Sequence, residues 1–325
     1  MSRLRVGLLG CGGIGARHAG AVAALSDRME LVACCGRDLL RTQTFAATHG
    51  GIAFVDLDKM IDEGVDLIIA TLPPYNRHGE IEHAASRGVN LLVEKPIALT
   101  NEAADRMVET VEASGVVAAI GFMYRFGDAV RRWRAVDSGR PGLYVGGYYC
   151  NALHAHWWRE RKLSGGQIVE QAIHQIDLIR HLIGEPDTAY ARYANLFHRD
   201  VPGYDVEDLS ATIFGWDDGR IASLTASNIA IPGVWHKEWT IMSERITGRF
   251  TSWNDALLTG TVGEPESETI IGPSDPFVVQ LADVADAIVE RRDPYIPLRE
   301  GAKTLKLALA AVRSAQEGRE LRLGD

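Results

Sequence analysis

The sequence lacks both an excess of one charge and long apolar runs. Its 325 residues carry a formal net charge of -9 that is spread along the chain. This mild charge argues against the electrostatic surface of a nucleic-acid-binding protein. No run is apolar over the length that a bilayer-spanning helix needs. We therefore expect small-molecule partners, with neither nucleic acid nor a membrane among them.

Cysteine is also scarce. Four cysteines occur, at positions 11, 34, 35 and 150, and their spacing matches no metal-binding motif. Three of them lie in or beside apolar strand patterns, where cysteine behaves as a small hydrophobic residue. The first residues run directly into a strand and a glycine loop, without the apolar core and cleavage site of a signal peptide. These features predict a reducing, cytoplasmic environment.

Low-complexity tracts and internal repeats are absent too, and the length favours two domains. The first third alternates short apolar strands with helical patterns. The predicted strands cover 5–9, 31–35, 66–70, 90–93 and 116–120, and the helices cover about 14 onward, 39–48, 78–87 and 101–114. Strands joined by crossover helices predict an α/β, doubly wound, parallel Rossmann domain over residues 1–123.

From about Gly121 the pattern changes to successive β-branched and aromatic stretches. Strands are predicted at 144–150, 189–197, 210–216, 220–226, 238–242 and 249–253, with one long helix at 168–183 and later helices at 278–290 and 301–316. Asp217-Asp218-Gly219 is a strong hairpin signal. We expect an α+β domain over 124–325 with a mostly antiparallel open sheet, which supplies substrate binding and oligomerisation. Its C-terminal helices can pack back on the first domain.

A glycine loop follows the first predicted strand and opens a helix. In a Gly-x-Gly-x-x-Gly turn of this context, the first glycine permits the tight turn, the second lets the backbone approach a pyrophosphate and the third allows close packing of helix on strand. Backbone N–H groups at the helix start then face the phosphates. A glycine turn without a ligand is the alternative. The predicted cofactor contacts here are Gly10, Gly12, Gly13, Ile14 and Gly15.

The end of the second strand suggests which nicotinamide cofactor binds. A carboxylate at this point usually accepts from the ribose hydroxyls of NAD, but this chain has Gly36 there. Arg37 beside it can stack on adenine and pair with a 2′-phosphate, which favours NADP over NAD. In the alternative, Arg37 is a surface residue and Asp38 binds the ribose. After the third core strand, further cofactor contacts are predicted at Thr71, Pro73, Asn76 and His78, with His78 more structural than catalytic.

Several motifs in order make the chain similar to the glucose-fructose oxidoreductase / inositol dehydrogenase / rhizopine-catabolism (Gfo/Idh/MocA) family. They are the glycine loop, Glu94-Lys95-Pro96 after a strand, the segment 121–126 and the segment 165–177. The resemblance covers nearly the whole chain. It implies catalysis by Lys95 and a general acid/base role for His174.

Lys95 also has a physical argument of its own. It lies at the carboxyl end of a parallel strand, where open α/β sheets bind ligands, and Pro96 keeps it out of the α region. Its ammonium can stabilise charge on a hydroxyl oxygen as hydride leaves the carbon. A surface lysine beside a loop is the alternative. Glu94 and Lys95 are both predicted to contact the cofactor, and Lys95 to contact the substrate.

Glu170, His174 and Asp177 have the spacing of one polar stripe on a helix. Such a stripe is more often a solvated face, but the resemblance aligns His174 with the family's acid/base, and imidazole exchanges protons near neutral pH. Glu170 stands where the family often has aspartate, so its substrate contact is less secure. Glu170 and Asp177 are expected to hold geometry and tune basicity.

A polar and aromatic segment precedes these residues. Indole faces suit the C–H surfaces of a sugar, and neighbouring polar groups could bond its hydroxyls. An aromatic plug between sheet and helix is the alternative for Trp157. Some residues in this region are of types that bind zinc, namely His154, His156, Glu170 and His174. Their spacing forms no ligand-pair motif, so no metal is predicted. The predicted substrate contacts are Lys95, Tyr124, Arg125, His156, Trp157, Arg159, Glu170 and His174.

Together these features predict an NAD(P)-dependent dehydrogenase or reductase that transfers hydride to or from a secondary alcohol carbon of a sugar, sugar derivative or cyclitol. Some relatives instead cleave glycosides through a transient oxidation, and others are non-catalytic cofactor-sensing regulators. Retention of Lys95 and His174 argues against the regulator. Apolar residues at Ile229, Ile231 and Trp235 near the open sheet predict a homodimer or homotetramer.

Overall fold

The computed structural model describes residues 3–151, 155–229, 234–261, 263 and 266–324. The chain divides into two compact units, 1–123 with 275–302 and 124–274 with 303–325. Residues 275–302, which include the first of the predicted C-terminal helices, group with residues 1–123. The assignment of residues 124–325 to substrate binding and oligomerisation stays a prediction.

The first unit is built on a parallel sheet. The elements are β1 (Leu4–Leu9), α1 (Gly13–Ala24), β2 (Met29–Cys35), α2 (Leu39–His49), β3 (Ile52–Phe54), α3 (Leu57–Asp62), β4 (Leu67–Ala70), α4 (Glu80–Ser86), β5 (Asn90–Val93), α5 (Asn101–Ala113) and β6 (Ala118–Ile120). The strands follow the order β3-β2-β1-β4-β5-β6, which confirms the doubly wound prediction. β4 is apolar and buried throughout, as is typical of a parallel strand with both faces covered. β3 and α3 escaped prediction because they are too short to show a period.

The second unit contains a mostly antiparallel sheet, as predicted. Its elements are α6 (Asp128–Ala135), β7 (Pro141–Tyr149), α7 (Arg161–Ser164), α8 (Gln167–Glu170), α9 (Ile173–Leu182), β8 (Thr188–Ala194), β9 (Leu209–Gly215), β10 (Ile221–Ser227), β11 (His236–Ser243), β12 (Ile246–Phe250), β13 (Asp255–Gly260) and β14 (Ser267–Ile271). Their order is β14-β13-β12-β11-β7-β10-β9-β8, in which β7 and β10 pair in parallel, and the C-terminal strand β15 (Leu321–Arg322) pairs with β8 at the edge.

Of three local predictions for this unit, one was right and two were wrong. The hairpin at Asp217-Asp218-Gly219 joins β9 to β10 and is confirmed, with Gly219 at φ +90°. The strand predicted at 249–253 is β12, which begins at Ile246 because it pairs with β11 directly after a tight turn. The long helix predicted at 168–183 is broken, so α8 and α9 are separate elements.

Two helices and a short strand complete the chain: α10 (Pro276–Glu290), α11 (Arg299–Glu317) and β15 (Leu321–Arg322). α10 belongs to the first unit because Leu281, Val284 and Ala285 on its apolar face are buried with Val22 of α1 in the core of that unit. The unit boundary falls within α11. Across the described part of the chain, no helix is both long and apolar enough to cross a bilayer.

Candidate active site

The glycine loop of the first unit leaves its backbone open to a ligand. Gly10 has φ +108°, and a Cβ there would lie 2.7 Å from Thr71 Oγ1, which donates to the Gly10 carbonyl. A Cβ on Gly15 would collide with that same carbonyl, so α1 packs close to β1. By contrast, nothing lies within 4 Å of a Cβ built on Gly12 or Gly13. The loop lies at the point where strand order reverses between β1 and β4, the ligand crevice of such sheets.

At the end of β2, Arg37 is exposed and the Asp38 carboxylate is already hydrogen-bonded. The Asp38 carboxylate is the N-cap of α2 and accepts from the Arg41 backbone N–H at 2.9 Å. Arg37 is exposed, and its Nη1 lies 3.5 Å from Asn76 Oδ1. A Cβ on Gly36 would lie 2.5 Å from Oγ1 of buried Thr42, so close packing against Thr42 favours glycine at this position.

Arg77 holds the loop that carries Lys95, and sequence reasoning missed it. Its guanidinium donates to backbone carbonyls of Leu72, Glu94 (2.7 Å), Pro96 (2.6 Å) and Ile97 (2.8 Å), so one side chain fixes both ends of the Lys95 turn. Burial lowers the pKa of Arg77 to about 10, which still leaves it charged at neutral pH. Its signal in the sequence was its position between two predicted cofactor residues, Asn76 and His78.

Glu94 is a structural residue of this turn. Its buried carboxylate bonds His18 Nε2 at 2.8 Å through one oxygen and accepts from the Lys95 backbone N–H at 3.1 Å through the other. A Cβ on Gly121 would lie 2.9 Å from this carboxylate, so the glycine makes room for it. The predicted cofactor contact of Glu94 is therefore replaced by an internal one. His18 was not predicted; it is fully buried and packs edge-on against Phe277 of α10.

The other predicted residues after β4 form a short turn. Pro73 precedes a 3-10 helix at Pro74–Asn76, and its carbonyl accepts from the Asn76 N–H at 2.9 Å. His78 is exposed, and its backbone N–H donates to the Glu80 carboxylate.

In the second unit, His174 is stacked on Tyr124. The two ring centroids are 4.5 Å apart with an interplanar angle of 12°, and Tyr124 packs in turn on Trp253 at 4.7 Å. Burial raises the pKa of Tyr124 well above 10, so the phenol stays neutral. Stacking of this kind fixes the plane of the imidazole while leaving its nitrogens at the ring edge.

Glu170 and His174 do not lie on one continuous helix, which corrects the predicted stripe. The backbone N–H groups of Gln171 and Ala172 both donate to the Gln167 carbonyl, at 2.9 and 3.0 Å. This widened turn ends α8 at Glu170, and α9 starts at Ile173. Glu170 is buried, with 4% of its surface exposed.

Asp177 and Arg125 bind each other. Arg125 donates from Nε to Asp177 Oδ2 at 2.8 Å and from Nη2 to Oδ1 at 2.6 Å, and Asp177 is fully buried. The Thr304 hydroxyl also donates to Asp177 Oδ1, at 3.2 Å, and accepts from Arg180 Nη1 at 2.7 Å. A carboxylate enclosed in this way is a structural anchor for α9. We correct the predictions that Asp177 tunes His174 and that Arg125 binds substrate.

The predicted substrate segment forms a 3-10 helix at His156–Arg159. His156 is exposed, and Trp157 and Arg159 are half-buried. Trp158 packs edge-on against both Trp157 and Trp235, each at 5.7 Å. The substrate contact of Trp157 and the alternative of an aromatic plug both stay predictions. His154 and Ile231, also named above, lie outside the described residues. Within the described ranges, no three potential metal ligands cluster.

Two sequence models of one family match the chain. A model described as "Oxidoreductase family, NAD-binding Rossmann fold" matches residues 4–122, and one described as "GFO/IDH/MocA C-terminal domain" matches residues 132–247. The two matches follow the order of the two units and include the glycine loop, Lys95 and His174.

Individual proteins resemble the chain over its full length. It is 25% identical to scyllo-inositol 2-dehydrogenase (NAD(+)) of Bacillus subtilis (strain 168), covering 99% of this chain and 96% of the relative. It is 28% identical to UDP-N-acetylglucosamine 3-dehydrogenase of Acidithiobacillus ferrooxidans, covering 98% of each. The solved structure of levoglucosan dehydrogenase, in complex with NADH and levoglucosan, aligns with a TM-score of 0.91 at 19% identity and 100% coverage of both chains, which shows a shared fold.

Proposed function

Because this chain belongs to the Gfo/Idh/MocA oxidoreductase family, we propose that it transfers hydride between a nicotinamide cofactor and a secondary alcohol carbon of a sugar, sugar derivative or cyclitol. Two full-length relatives are dehydrogenases of a cyclitol and of a nucleotide sugar. The observation that carries the proposal is the stacking of His174 on Tyr124, since it fixes the plane of an acid/base imidazole.

The first unit fits a dinucleotide. The space over Gly12 and Gly13 admits a pyrophosphate, and no side chain caps the N-terminus of α1, whose first N–H groups then point toward the phosphates. The cofactor would be held by the glycine loop, by Ile14, by Arg37 at the end of β2 and by the turn from Thr71 to Asn76. When bound, the nicotinamide supplies the hydride acceptor or donor.

Side chains of this protein stabilise charge, transfer the proton and contact the substrate. Lys95, on a turn fixed by Arg77, donates a hydrogen bond to the reacting oxygen and stabilises its developing negative charge. His174 takes the hydroxyl proton during oxidation and returns it during reduction. The negative charge of Glu170 favours the protonated imidazole that forms in oxidation. Arg159 and Trp157 contact the substrate hydroxyls and C–H surfaces.

We further propose that the preferred cofactor is NADP(H). Gly36 supplies no carboxylate for the ribose, and the Asp38 carboxylate is already used as the cap of α2. Arg37 is exposed beside Asn76 and can pair with a 2′-phosphate. NAD(H) is the alternative, and it is named for the Bacillus subtilis relative.

A homo-oligomer is proposed on the open face of the second sheet. Val145, Ile213, Ile221 and Met242 lie on that face in neighbouring strands, and each is between 45% and 48% exposed. An apolar patch of this kind is typical of an interface between identical subunits. We expect a dimer or tetramer in light scattering at micromolar concentration, and a monomer would contradict the proposal.

The proposed activity is tested with a panel of sugars, sugar derivatives and cyclitols, each mixed with NADP or NAD. Formation of reduced nicotinamide is followed by absorbance, and the ketone product is identified by mass. We expect stoichiometric reduction of cofactor by at least one member of the panel. If the cofactor is only recycled while a glycosidic bond breaks, the transient-oxidation chemistry replaces this proposal.

A further inference from the structure

His18 places a buried polar ring on helix α1 of the first unit. The imidazole is fully buried, and its Nε2 atom bonds Glu94 Oε1 at 2.8 Å. The other ring nitrogen, Nδ1, is also buried and has no hydrogen-bond partner among the residues that the structure describes. An ionised carboxylate only accepts, so with Glu94 ionised the proton lies on Nε2. Within the described part of the chain, Glu94 is therefore the hydrogen-bond partner of this imidazole.

Packing holds the imidazole in one orientation. Phe277 of α10 contacts it edge-on, with ring centroids 5.1 Å apart and an interplanar angle of 82°. The Arg17 guanidinium lies over the same Phe277 ring at 4.9 Å and donates to Asp275 at 3.1 Å. Burial of a polar group is unfavourable unless it is hydrogen-bonded, and an apolar side chain would fill this volume without that cost. The histidine at this position therefore points to a use for its bond to Glu94.

The Glu94 carboxylate transmits this constraint to the backbone of Lys95. Its second oxygen, Oε2, accepts from the Lys95 N–H at 3.1 Å, so His18 and Lys95 each contact a different oxygen. Arg77 contacts the same turn from its carbonyl side, through the Glu94 and Pro96 oxygens. Without His18 the carboxylate would be free to rotate, and the Lys95 N–H would lose a fixed acceptor.

Helix α1 is also the helix that faces the proposed cofactor. It begins at Gly13 in the glycine loop, and His18 follows five residues later, about 7.5 Å along the helix axis. One rigid element thus carries both the phosphate-binding end and the partner of Glu94.

Resting on the proposed function, we propose that His18 is a positioning residue that holds Lys95 in place relative to the bound dinucleotide, through the Glu94 carboxylate. The bond from His18 fixes the carboxylate, and the carboxylate fixes the Lys95 N–H. The Lys95 side chain then extends from a defined backbone toward the reacting oxygen. A displacement of about 1 Å at a catalytic group can cost about a hundredfold in rate, so the loss of this bond should appear in turnover.

The first experiment follows hydrogen exchange of the Lys95 amide, by NMR on protein isotope-labelled only at its six lysines. His18→Leu keeps the bulk and removes the donor, so this amide should exchange about tenfold faster or more than in the parent. His18→Gln can still donate from near the position of Nε2 and should recover most of the protection. The Lys59 amide, which donates to Asp56 in the same unit at 3.2 Å, is the internal reference and should keep its parent rate.

The second experiment compares kcat and KM on a substrate found in the sugar panel. His18→Leu should lower kcat by about tenfold to a hundredfold, while the Kd of the cofactor and the KM of the sugar stay within about threefold of the parent. His18→Gln should restore most of the turnover. His83→Leu is the matched control and should match the parent, because His83 bonds Asp58 at 2.7 Å on the surface of the same unit.

The proposal is overturned if the Lys95 amide exchanges at the parent rate in His18→Leu, or if it exchanges faster while kcat stays within a few-fold of the parent. It is also overturned if the Lys59 and Lys95 amides accelerate equally and His18→Gln recovers nothing, since His18 would then contribute only to general stability. Failure of the proposed dehydrogenase activity is a separate result, seen as no reduced nicotinamide across the panel. The exchange experiment needs no substrate and does not depend on that result.

Discussion

The Arg125–Asp177 pair allows a direct test of how burial changes the contribution of an ion pair to stability. Its side chains are 7% and 0% exposed, and two hydrogen bonds join them. Arg132 and Glu268 form the same two-bond geometry on the surface, at 2.8 and 2.9 Å, with side chains 43% and 45% exposed. The two pairs therefore differ mainly in contact with water.

Asp177→Asn removes the charge and keeps the shape. Because the variant leaves the Arg125 guanidinium buried without its carboxylate and disturbs the bond from Thr304, we expect a loss of about 3 to 5 kcal/mol in the free energy of unfolding. Glu268→Gln should cost no more than about 1 kcal/mol. A loss of the larger size is a substantial share of the roughly 5 to 15 kcal/mol that stabilises a typical domain.

Urea unfolding followed by tryptophan fluorescence is the assay. All seven tryptophans lie in the second unit, so the fluorescence change reports the unfolding of the unit that contains Asp177 and not that of the first unit. The midpoint should fall for Asp177→Asn at a constant urea dependence. The pH profile of turnover, measured where the variant is folded, should match the parent. Equal losses for the two variants would refute the burial argument, and a changed pH profile would return Asp177 to the chemistry.

Three variants test the assignments in the proposed reaction. Lys95→Met should lower kcat by about a hundredfold to a thousandfold with little effect on cofactor affinity, and turnover within a few-fold of the parent would contradict its role. His174→Asn should fold, bind cofactor, lose about a hundredfold or more in turnover and abolish the pH dependence of oxidation; an unchanged profile would move the proton to another group. Gly36→Asp, made with Thr42→Ala because its Cβ would meet Oγ1 of Thr42, should shift affinity from NADP toward NAD relative to Gly36→Ala in the same background. Preference for NAD in the parent, unaffected by Arg37→Ala, would refute the NADP proposal.

Features with a local cause were predictable from the sequence. The order of strands and helices in residues 1–123 follows from apolar periodicity. The roles of Gly10 and Gly15 follow from the positive φ of Gly10 and from the close approach of Gly15 to the Gly10 carbonyl, five residues away. The hairpin at Asp217-Asp218-Gly219 is equally local. Each of these depends on backbone conformation within one or two elements.

Features that depend on distant partners were not predictable. The polar character of Asp177 suggested a site, but its partners Arg125 and Thr304 are 52 and 127 residues away and enclose it completely. Arg77 and His18 have ordinary neighbours in sequence and become important only because the Glu94-Lys95 turn folds onto them. Contacts of this kind leave no periodic pattern in the sequence.

Around His174, the prediction from helical spacing failed, whereas the assignment of His174 itself does not depend on that spacing. Helical spacing linked Glu170, His174 and Asp177, and the widened turn at Gln171 breaks that link. His174 keeps its assignment because it rests on two things that the break does not touch: the order of motifs along the chain, and the stacking on Tyr124 that fixes the imidazole plane. Burial raises the pKa of Tyr124 well above 10, so the imidazole of His174 is held against an uncharged ring.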